Sequence, residues 1–217
     1  MSSGLLYIEI GDDKMDNFNH LISAIVQVIV FSIIPFIWWI ISDRKNSTFL
    51  HWLGFRKVIV KDYKKYILSI FGMLLLSFIT VFYIIPLYID TSNNATSQFA
   101  GKGFSVLIPV IIYSFIQTGL SEEIFFRGFL AKRLINKFGF RIGNIIQGLL
   151  FGLMHGIFFF GIAGVMGTII IIVLTGMSGW VSGWINEKQS GGSIISSWVL
   201  HGLGNFTASI AVMFNII

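Results

Sequence analysis

The sequence predicts an all-α protein, a polytopic bundle of transmembrane helices with about six spans. Hydrophobic residues make up 55% of the 217 residues and charged residues only 12%, whereas a soluble domain carries roughly 25% charged residues. Apolar runs long enough to cross a bilayer, about 20 residues each, occur six times. They lie at 20–42, 66–89, 104–136, 142–160, 162–185 and 193–217.

The third apolar run, 104–136, is too long for a simple span. It is either one tilted helix that projects beyond the bilayer or two pieces broken near Gly119. In the fourth and fifth runs, GxxxG spacings start at Gly152 and Gly179. Such spacings are typical of helices that approach one another closely in membranes.

The basic residues predict how the helices are oriented. Loop 43–65 is rich in lysine and arginine, and further cations lie in the turns 132–141 and 186–192, whereas loop 90–103 holds a single lysine. The positive-inside rule therefore predicts that the three basic connections are cytoplasmic and that both termini lie outside. We expect a multi-pass protein of a cell membrane, most simply the bacterial plasma membrane.

The net charge of +5 is explained by this topology, since no basic cluster belongs to a recognisable nucleic-acid-binding motif. A nucleic-acid partner is therefore not expected. The chain contains no cysteine, which excludes disulfides, thiolate nucleophiles and cysteine-based zinc sites.

A few strongly polar side chains remain inside the predicted spans, and these are the candidate functional residues. An unpaired charge at mid-bilayer costs about 2.5–3.5 kcal/mol or more, so ionisable groups there usually mark chemistry or a proton or ion path. They are Glu122, Glu123 and Arg127 in the third run, His155 in the fourth, and His201 and Asn205 in the sixth.

The spacing of the charged residues in the third run separates the two glutamates. Glu123 and Arg127 are four residues apart with the acid first, which is the favourable order for a helical ion pair. Glu122 points about 100° away from Glu123 around an α-helix. One carboxylate can thus be neutralised by Arg127 while the other needs a different partner.

The depths of the remaining residues predict that they meet. At 1.5 Å per residue, Glu122, His155 and His201 lie on the order of 20, 20 and 12 Å from the cytoplasmic ends of their helices. His201 and Asn205 are four residues apart and share one helix face. A single polar cavity in the cytoplasmic half of the bundle is therefore expected.

Three short motifs on separate apolar segments carry a family resemblance. The sequence EEIFFR matches EExxxR, FGLMH matches FxxxH, and HGLGN matches HxxxN, in that order. The chain resembles the CAAX protease and bacteriocin-processing family (CPBP, also called Abi), which includes the CAAX prenyl endopeptidases. The resemblance divides the chain into an intramembrane protease core, 104–217, and an N-terminal region with two transmembrane helices, 1–103.

The resemblance implies an intramembrane endopeptidase whose active site faces the cytoplasm. Its family roles assign Glu122 and His155 to activation of the attacking water, and His201 and Asn205 to stabilisation of the oxyanion. The chemistry of these side chains agrees, because a carboxylate beside an imidazole can act as general base. An amide and an imidazole on one helix face can stabilise a developing oxyanion.

Glu123 and Arg127 are interpreted as supporting residues that hold Glu122 in place. No cofactor is favoured, because the chain has no HExxH helix and a metal at Glu122 would occupy the expected base. Zinc remains the alternative, with Glu122, His155 and His201 as its ligands and one coordination position open for water.

The expected partners are membrane lipid and a peptide or protein substrate, which the sequence does not identify. Bacterial peptide or bacteriocin maturation, self-immunity and CAAX-type processing all fit the resemblance. Two other classes stay open: a catalytically silent immunity protein or sensor-kinase regulator, and a proton-coupled transporter. The complete motif set weighs against the first, and the lack of an inverted repeat weighs against the second. The oligomeric state is not defined by the sequence.

Overall fold

The computed structural model describes residues 3–89 and 94–217, with the backbone alone up to residue 15. These residues form helices and connecting turns without a β-strand, which confirms the prediction of an all-α fold. The α-helices are α1 (Ser3–Ser42), α2 (Phe49–Leu53), α3 (Tyr63–Ile79), α4 (Ile85–Tyr88), α5 (Leu107–Ile111), α6 (Lys132–Trp184) and α7 (Ile195–Met213).

Several joints between these helices are wound as π-helix. The segment Thr80–Ile84 joins α3 to α4, and Ile185–Gln189 continues α6. Between α5 and α6 lie two longer π-helical segments, Ile112–Leu120 and Glu123–Ala131. Two 3₁₀ turns, Ala95–Phe99 and Gly103–Val106, precede α5.

Three stretches of the described chain are long and apolar enough to cross a membrane: Asp16–Ser42, Tyr63–Tyr88 and Gly103–Gln189. The third covers 87 residues and contains the predicted runs three to five. Its backbone leaves the helical region at Gly139 (φ 76°, ψ 164°) and Gly164 (φ 62°, ψ 178°), where glycine accepts a positive φ at no steric cost. The sixth predicted run contains α7, which is not among the three stretches, so the count of six spans stays a prediction.

The two limbs of α6 that meet at Gly164 pack against each other in antiparallel fashion. A Cβ atom added to Gly152 would lie 2.3 Å from the Ile172 carbonyl oxygen, and one added to Gly148 would lie 2.9 Å from that of Gly176. Only glycine allows the two backbones to approach so closely. The limb that carries His155 is thereby fixed against its neighbour.

No helix break occurs at Gly119, where one was considered. The π-helical segment Ile112–Leu120 runs through this residue. A Cβ atom at Gly119 would lie 3.5 Å from Cα of Gly202 on α7. Gly119 is therefore in ordinary contact with the helix that carries His201 and does not interrupt the chain. The atom closest to an added Cβ is the Ser114 carbonyl oxygen, at 2.6 Å.

The connections gather at two ends of the bundle. At one end, the backbone N–H of Ile194 donates to the Gly54 carbonyl (3.0 Å), so the loop after α1 is joined to the loop before α7. At the other end, Gly101 N–H donates to the Val212 carbonyl (3.3 Å). The basic loop 43–65 and the residues around Gly192 thus share one end. Lys188 Nζ lies 4.4 Å from the ring of Phe140, which brings the turn at Gly139 to the same end. The membrane orientation of that end stays a prediction.

Candidate active site

Glu122 sits on a short regular stretch between the two long π-helical segments. The segment before it ends at Leu120 and the one after it begins at Glu123. π-helical turns are rare in proteins, and many of those that occur lie at functional sites. Their i→i+5 hydrogen bonds change the direction in which the following side chains point. The first segment packs against α7 and the second against α6, so Glu122 faces both helices that carry histidines.

The carboxylate of Glu122 faces two imidazole rings. Its Oε2 atom lies 3.9 Å from Nε2 of His155 and 3.7 Å from Nε2 of His201. Both distances exceed hydrogen-bond length, and Oε2 is buried with no hydrogen-bond partner among the described residues. The side chains of the three residues keep between 13% and 19% exposure, so a small molecule can reach them.

The other nitrogen of each histidine is held by a fixed acceptor. Nδ1 of His155 lies 3.0 Å from the Phe151 carbonyl, one turn earlier in α6. Nδ1 of His201 lies 3.1 Å from Oε1 of Glu123. Because a carbonyl and a carboxylate accept hydrogen bonds, both rings carry a proton on Nδ1 and turn Nε2 towards Glu122.

Glu123 is fully buried, and three groups satisfy its carboxylate. The Arg127 guanidinium (Nη1) lies 3.2 Å from Oε1, the His201 ring contacts the same oxygen, and the Ser197 hydroxyl donates to Oε2. The ion pair with Arg127 that the spacing predicts is therefore present. The support interpretation changes in one respect: Glu123 contacts His201, and no contact with Glu122 is observed in the described structure.

Arg127 is buried between this carboxylate and an aromatic ring. Its Cζ atom lies 4.0 Å from the centroid of Phe151, within cation–π distance. Neither Nε nor Nη1 reaches hydrogen-bond geometry within the described residues, so its link with Glu123 is an ionic contact. The same Phe151 ring lies 4.5 Å from that of His155 and 5.9 Å from that of His201. Arg127 thus connects the acidic pair to the packing around both histidines.

Asn205 lies one turn beyond His201 on α7 and makes a different contact. Its Nδ2 donates to Thr118 Oγ1 at 2.7 Å, and Thr118 donates in turn to the Tyr113 carbonyl at 2.9 Å. The structure therefore brings Glu122, His155 and His201 together directly, whereas Asn205 is linked to the helix of Glu122 through Thr118.

Three uncharged polar residues around the site were missed from the sequence. Ser197 and Thr118 each lie four residues before a predicted site residue, His201 and Glu122 respectively, and that spacing on one helix face was an available signal. Gln27 of α1 donates to Ser121 (3.3 Å) and accepts from Gln117 (3.3 Å). Nothing in the local sequence of α1 indicated this contact.

The fit to a metal can be tested on the geometry of the side chains. Within the described ranges, no group of three or more His, Cys, Asp or Glu side chains is arranged to hold a metal ion. Both the metal-free site and the zinc alternative through Glu122, His155 and His201 stay predictions.

Comparison with known proteins supports the family assignment for one part of the chain. Residues 104–207, just under half of the sequence, match the model of the type II CAAX prenyl endopeptidase Rce1-like family. This part of the chain is similar to that family. The matched range contains all six candidate residues and confirms the resemblance read from the three motifs. The family is one of CAAX-type proteases, and the apolar helices agree with a membrane protein.

No curated protein and no solved structure gives a significant match.

Proposed function

We propose that the chain is an intramembrane endopeptidase that hydrolyses a peptide bond with a water molecule activated by Glu122 and His155. The observation that carries the proposal is the Glu122 carboxylate, whose buried Oε2 faces Nε2 of His155 at 3.9 Å and Nε2 of His201 at 3.7 Å. Gaps of this length between polar atoms suit a bridging water.

In the first step, the water gives a proton to Glu122 and its oxygen attacks the scissile carbonyl carbon. His155 Nε2 is an acceptor while its Nδ1 proton is held by the Phe151 carbonyl, so it can share the proton. In the second step the C–N bond breaks and the same proton passes to the departing amine. Protons balance without a further reactant.

The oxyanion formed in the first step is assigned to His201 and Asn205. Because its Nδ1 proton faces Glu123, His201 donates from Nε2 only as an imidazolium. In that form the cluster has no net charge, because the two negative carboxylates of Glu122 and Glu123 are matched by the two positive groups of Arg127 and His201. Asn205 adds an amide donor from the same helix, and Thr118 orients that amide. Preorganised donors of this kind are a large contribution in acyl transfer.

The family name directs the choice of substrate. We propose a peptide or protein cleaved at the membrane surface on the cytoplasmic side, and a farnesylated CAAX peptide is the first probe. An unprenylated peptide of the same sequence distinguishes CAAX-type processing from maturation or immunity peptides. A silent immunity protein or kinase regulator would cleave neither, and neither would a transporter.

The decisive variant is Glu122→Gln, which keeps the shape of the side chain and removes its ability to accept a proton. General acid–base groups typically contribute about 10²–10⁴-fold in rate, so cleavage by the purified protein should fall at least a hundredfold while the yield stays at the wild-type level. The control is Asp62→Asn, which alters a partly exposed carboxylate outside the cluster. Full activity of Glu122→Gln would refute the mechanism.

The proposal uses no metal. A chelator should therefore leave cleavage unchanged, whereas a zinc site would lose activity and regain it on addition of the metal. Loss and recovery of this kind would replace the water-activation scheme with a zinc centre at Glu122, His155 and His201.

A further inference from the structure

A second polar cluster lies at the basic end of the bundle, away from the candidate active site. It lines a cavity of about 240 Å³ formed by the loop after α1, the start of α6 and the π-helical end of α6. Its lining residues are His51, Trp52, Arg56, Lys132, Arg133, Ile135, Asn136 and Glu187.

The charges of this cavity are not balanced. Lys132 is buried and pairs with Glu187 at 2.7 Å, and its ammonium also donates to the Gly192 carbonyl at 2.8 Å. Arg56 donates only to that same neutral carbonyl, at 3.2 Å. Arg133 has no ion-pair partner in the described part of the chain, and its Nε is buried without a hydrogen bond there.

Arg133 is held in position by an aromatic ring rather than by a carboxylate. Its guanidinium lies 3.8 Å above the ring of Trp52. The carboxylate of the nearby Asp43 accepts a hydrogen bond from Nε1 of Trp52 at 2.7 Å. Two guanidinium groups, those of Arg56 and Arg133, are therefore available for an anion, and a planar fork of donors suits phosphate oxygens.

An aromatic path leads from this cavity to the lipid-facing surface. Trp52 stacks on Phe129 (6.1 Å), and Phe129 contacts Trp38 of α1 (5.7 Å). Trp38 is 51% exposed, and Ile41 one turn further is 80% exposed. Tryptophan is enriched at the level of lipid head groups. A ligand with its phosphate at Arg133 can thus lay an acyl chain along α1.

We infer that this cavity binds the phosphodiester of an anionic phospholipid, with Arg56 and Arg133 as its ligands and the exposed face of α1 as the seat of its acyl chain. Basic pockets between transmembrane helices at the cytoplasmic surface are suited to such head groups. A free anion would use the guanidinium groups but not the apolar path, which is why the lipid is favoured.

The test is thermal unfolding of the purified full chain in neutral detergent, titrated separately with phosphatidylglycerol, phosphatidylcholine and inorganic phosphate. Binding to the folded state raises the unfolding temperature. We expect saturable stabilisation by phosphatidylglycerol at concentrations at least tenfold below those of the other two. Equal potency of phosphatidylcholine, or of inorganic phosphate, would overturn the inference.

The variants assign the effect to the cavity. Arg133→Gln should raise the half-saturating phosphatidylglycerol concentration by roughly 10- to 100-fold, since a charge-assisted hydrogen bond contributes about 1.5–3 kcal/mol. Lys137→Gln is the matched control: it removes the same charge one turn further along α6 from an exposed residue outside the cavity, and should change the value less than twofold. Equal effects of the two variants would reduce the finding to general surface charge and refute the site.

Two further measurements test the site if Arg133→Gln does not fold. Arg133→Lys keeps the charge but loses the planar fork, so its half-saturating concentration should fall between those of wild type and Arg133→Gln. Mass spectrometry of co-purified lipid should give a lower ratio of phosphatidylglycerol to phosphatidylcholine for Arg133→Lys than for Lys137→Gln. An unchanged ratio would contradict the inference.

Discussion

The helices before residue 90 and the long stretch after residue 102 are similarly apolar but differ in which side chains they bury. In an apolar 18-residue window of each stretch, mean hydropathy is 2.4 for Asp16–Ser42 and for Tyr63–Tyr88 and 2.7 for Gly103–Gln189, yet the buried share of that window is 11% in each of the first two and 22% in the third. The third also holds buried charges such as Glu123 and Arg127. Hydropathy therefore identifies the candidate membrane helices. The buried charges distinguish the region that holds the candidate site from the helices before residue 90.

Gln27 of α1 connects the two regions next to the site. Gln27 of α1 bonds to Ser121, the residue before Glu122. α1 lies outside the range matched by the family, but it packs against the π-helical segment that leads to the site. The N-terminal helices thus contribute packing and polar contacts such as those of Gln27, while the acid–base chemistry proposed here lies wholly in the other region.

The largest stability difference between the regions should come from removing a cation. Arg127→Ala leaves Glu123 buried without its main partner, and breaking a buried pair costs about 3–5 kcal/mol. Arg44→Ala, an exposed change in the loop after α1, should stay within about 0.5 kcal/mol. Denaturant unfolding in detergent measures both. Equal stability of the two variants would mean that the buried charges do not distinguish the regions.

The next effect concerns rate rather than stability. Asn205→Ala should lower cleavage on the order of 10²–10³-fold, as removal of one oxyanion donor does. Combined with His201→Ala, the loss should fall well short of the product of the two single losses, because groups that act together are not additive. Gln27→Ala serves as the contrast from the N-terminal region and should change the rate much less. Strictly multiplicative losses would contradict a shared role for Asn205 and His201.

Two glycines compare the packing of the regions directly. Gly152→Ala places a methyl group 2.3 Å from the Ile172 carbonyl oxygen, and overpacking of this kind typically costs about 1–3 kcal/mol. Gly72 of α3 has no atom within 4 Å of an added Cβ. Gly72→Ala should therefore be neutral or stabilising by up to about 1 kcal/mol. The same unfolding measurement decides, and a cost at Gly72 equal to that at Gly152 would show that α3 packs as tightly as α6.

The smallest effect lies at the start of α3. Hydrogen bonding from the Lys65 backbone N–H, together with the Lys65 side chain, holds the pKa of Asp62 below its ordinary value of 3.8. The cap is therefore fully formed above 3.8 and is lost as the pH falls through the lowered value. Hydrogen exchange at the Lys65 amide, corrected for its intrinsic rate, should speed up on acidification. It should not do so in Asp62→Asn, which keeps a capping oxygen that does not titrate.

The sequence predicts the helical class, the ion pair of Glu123 with Arg127 and the meeting of Glu122 with two histidines. It does so because ionisable residues are rare in apolar helices and i,i+4 spacing fixes which side chains share a face. The contact of Glu123 with His201 was not predicted. The π-helical segments on either side of Glu122 rotate the helix away from the 3.6-residue repeat, and no sequence rule locates them.

The extent of the spans and the contact of Gln27 could not be predicted from the sequence either. A glycine can continue, bend or end a helix, and only the structure shows that Gly139 and Gly164 bend α6 while Gly119 lies in a continuous helix. Glutamine is an unremarkable residue in a helix, so its hydrogen bond to Ser121 depends on how α1 packs. Both depend on contacts between distant segments.

Glu122 and Glu123 are synthesised well before His201, the histidine that faces both of them. Glu123 and His201 are separated by 78 residues. Translation adds about 5–20 residues per second, so the two carboxylates precede His201 by roughly 4–16 s. Throughout that interval Arg127 is the only cation of the cluster, and the imidazole that faces both glutamates does not yet exist. A growing chain therefore holds an incomplete centre until α7 has been synthesised and has packed against the other helices.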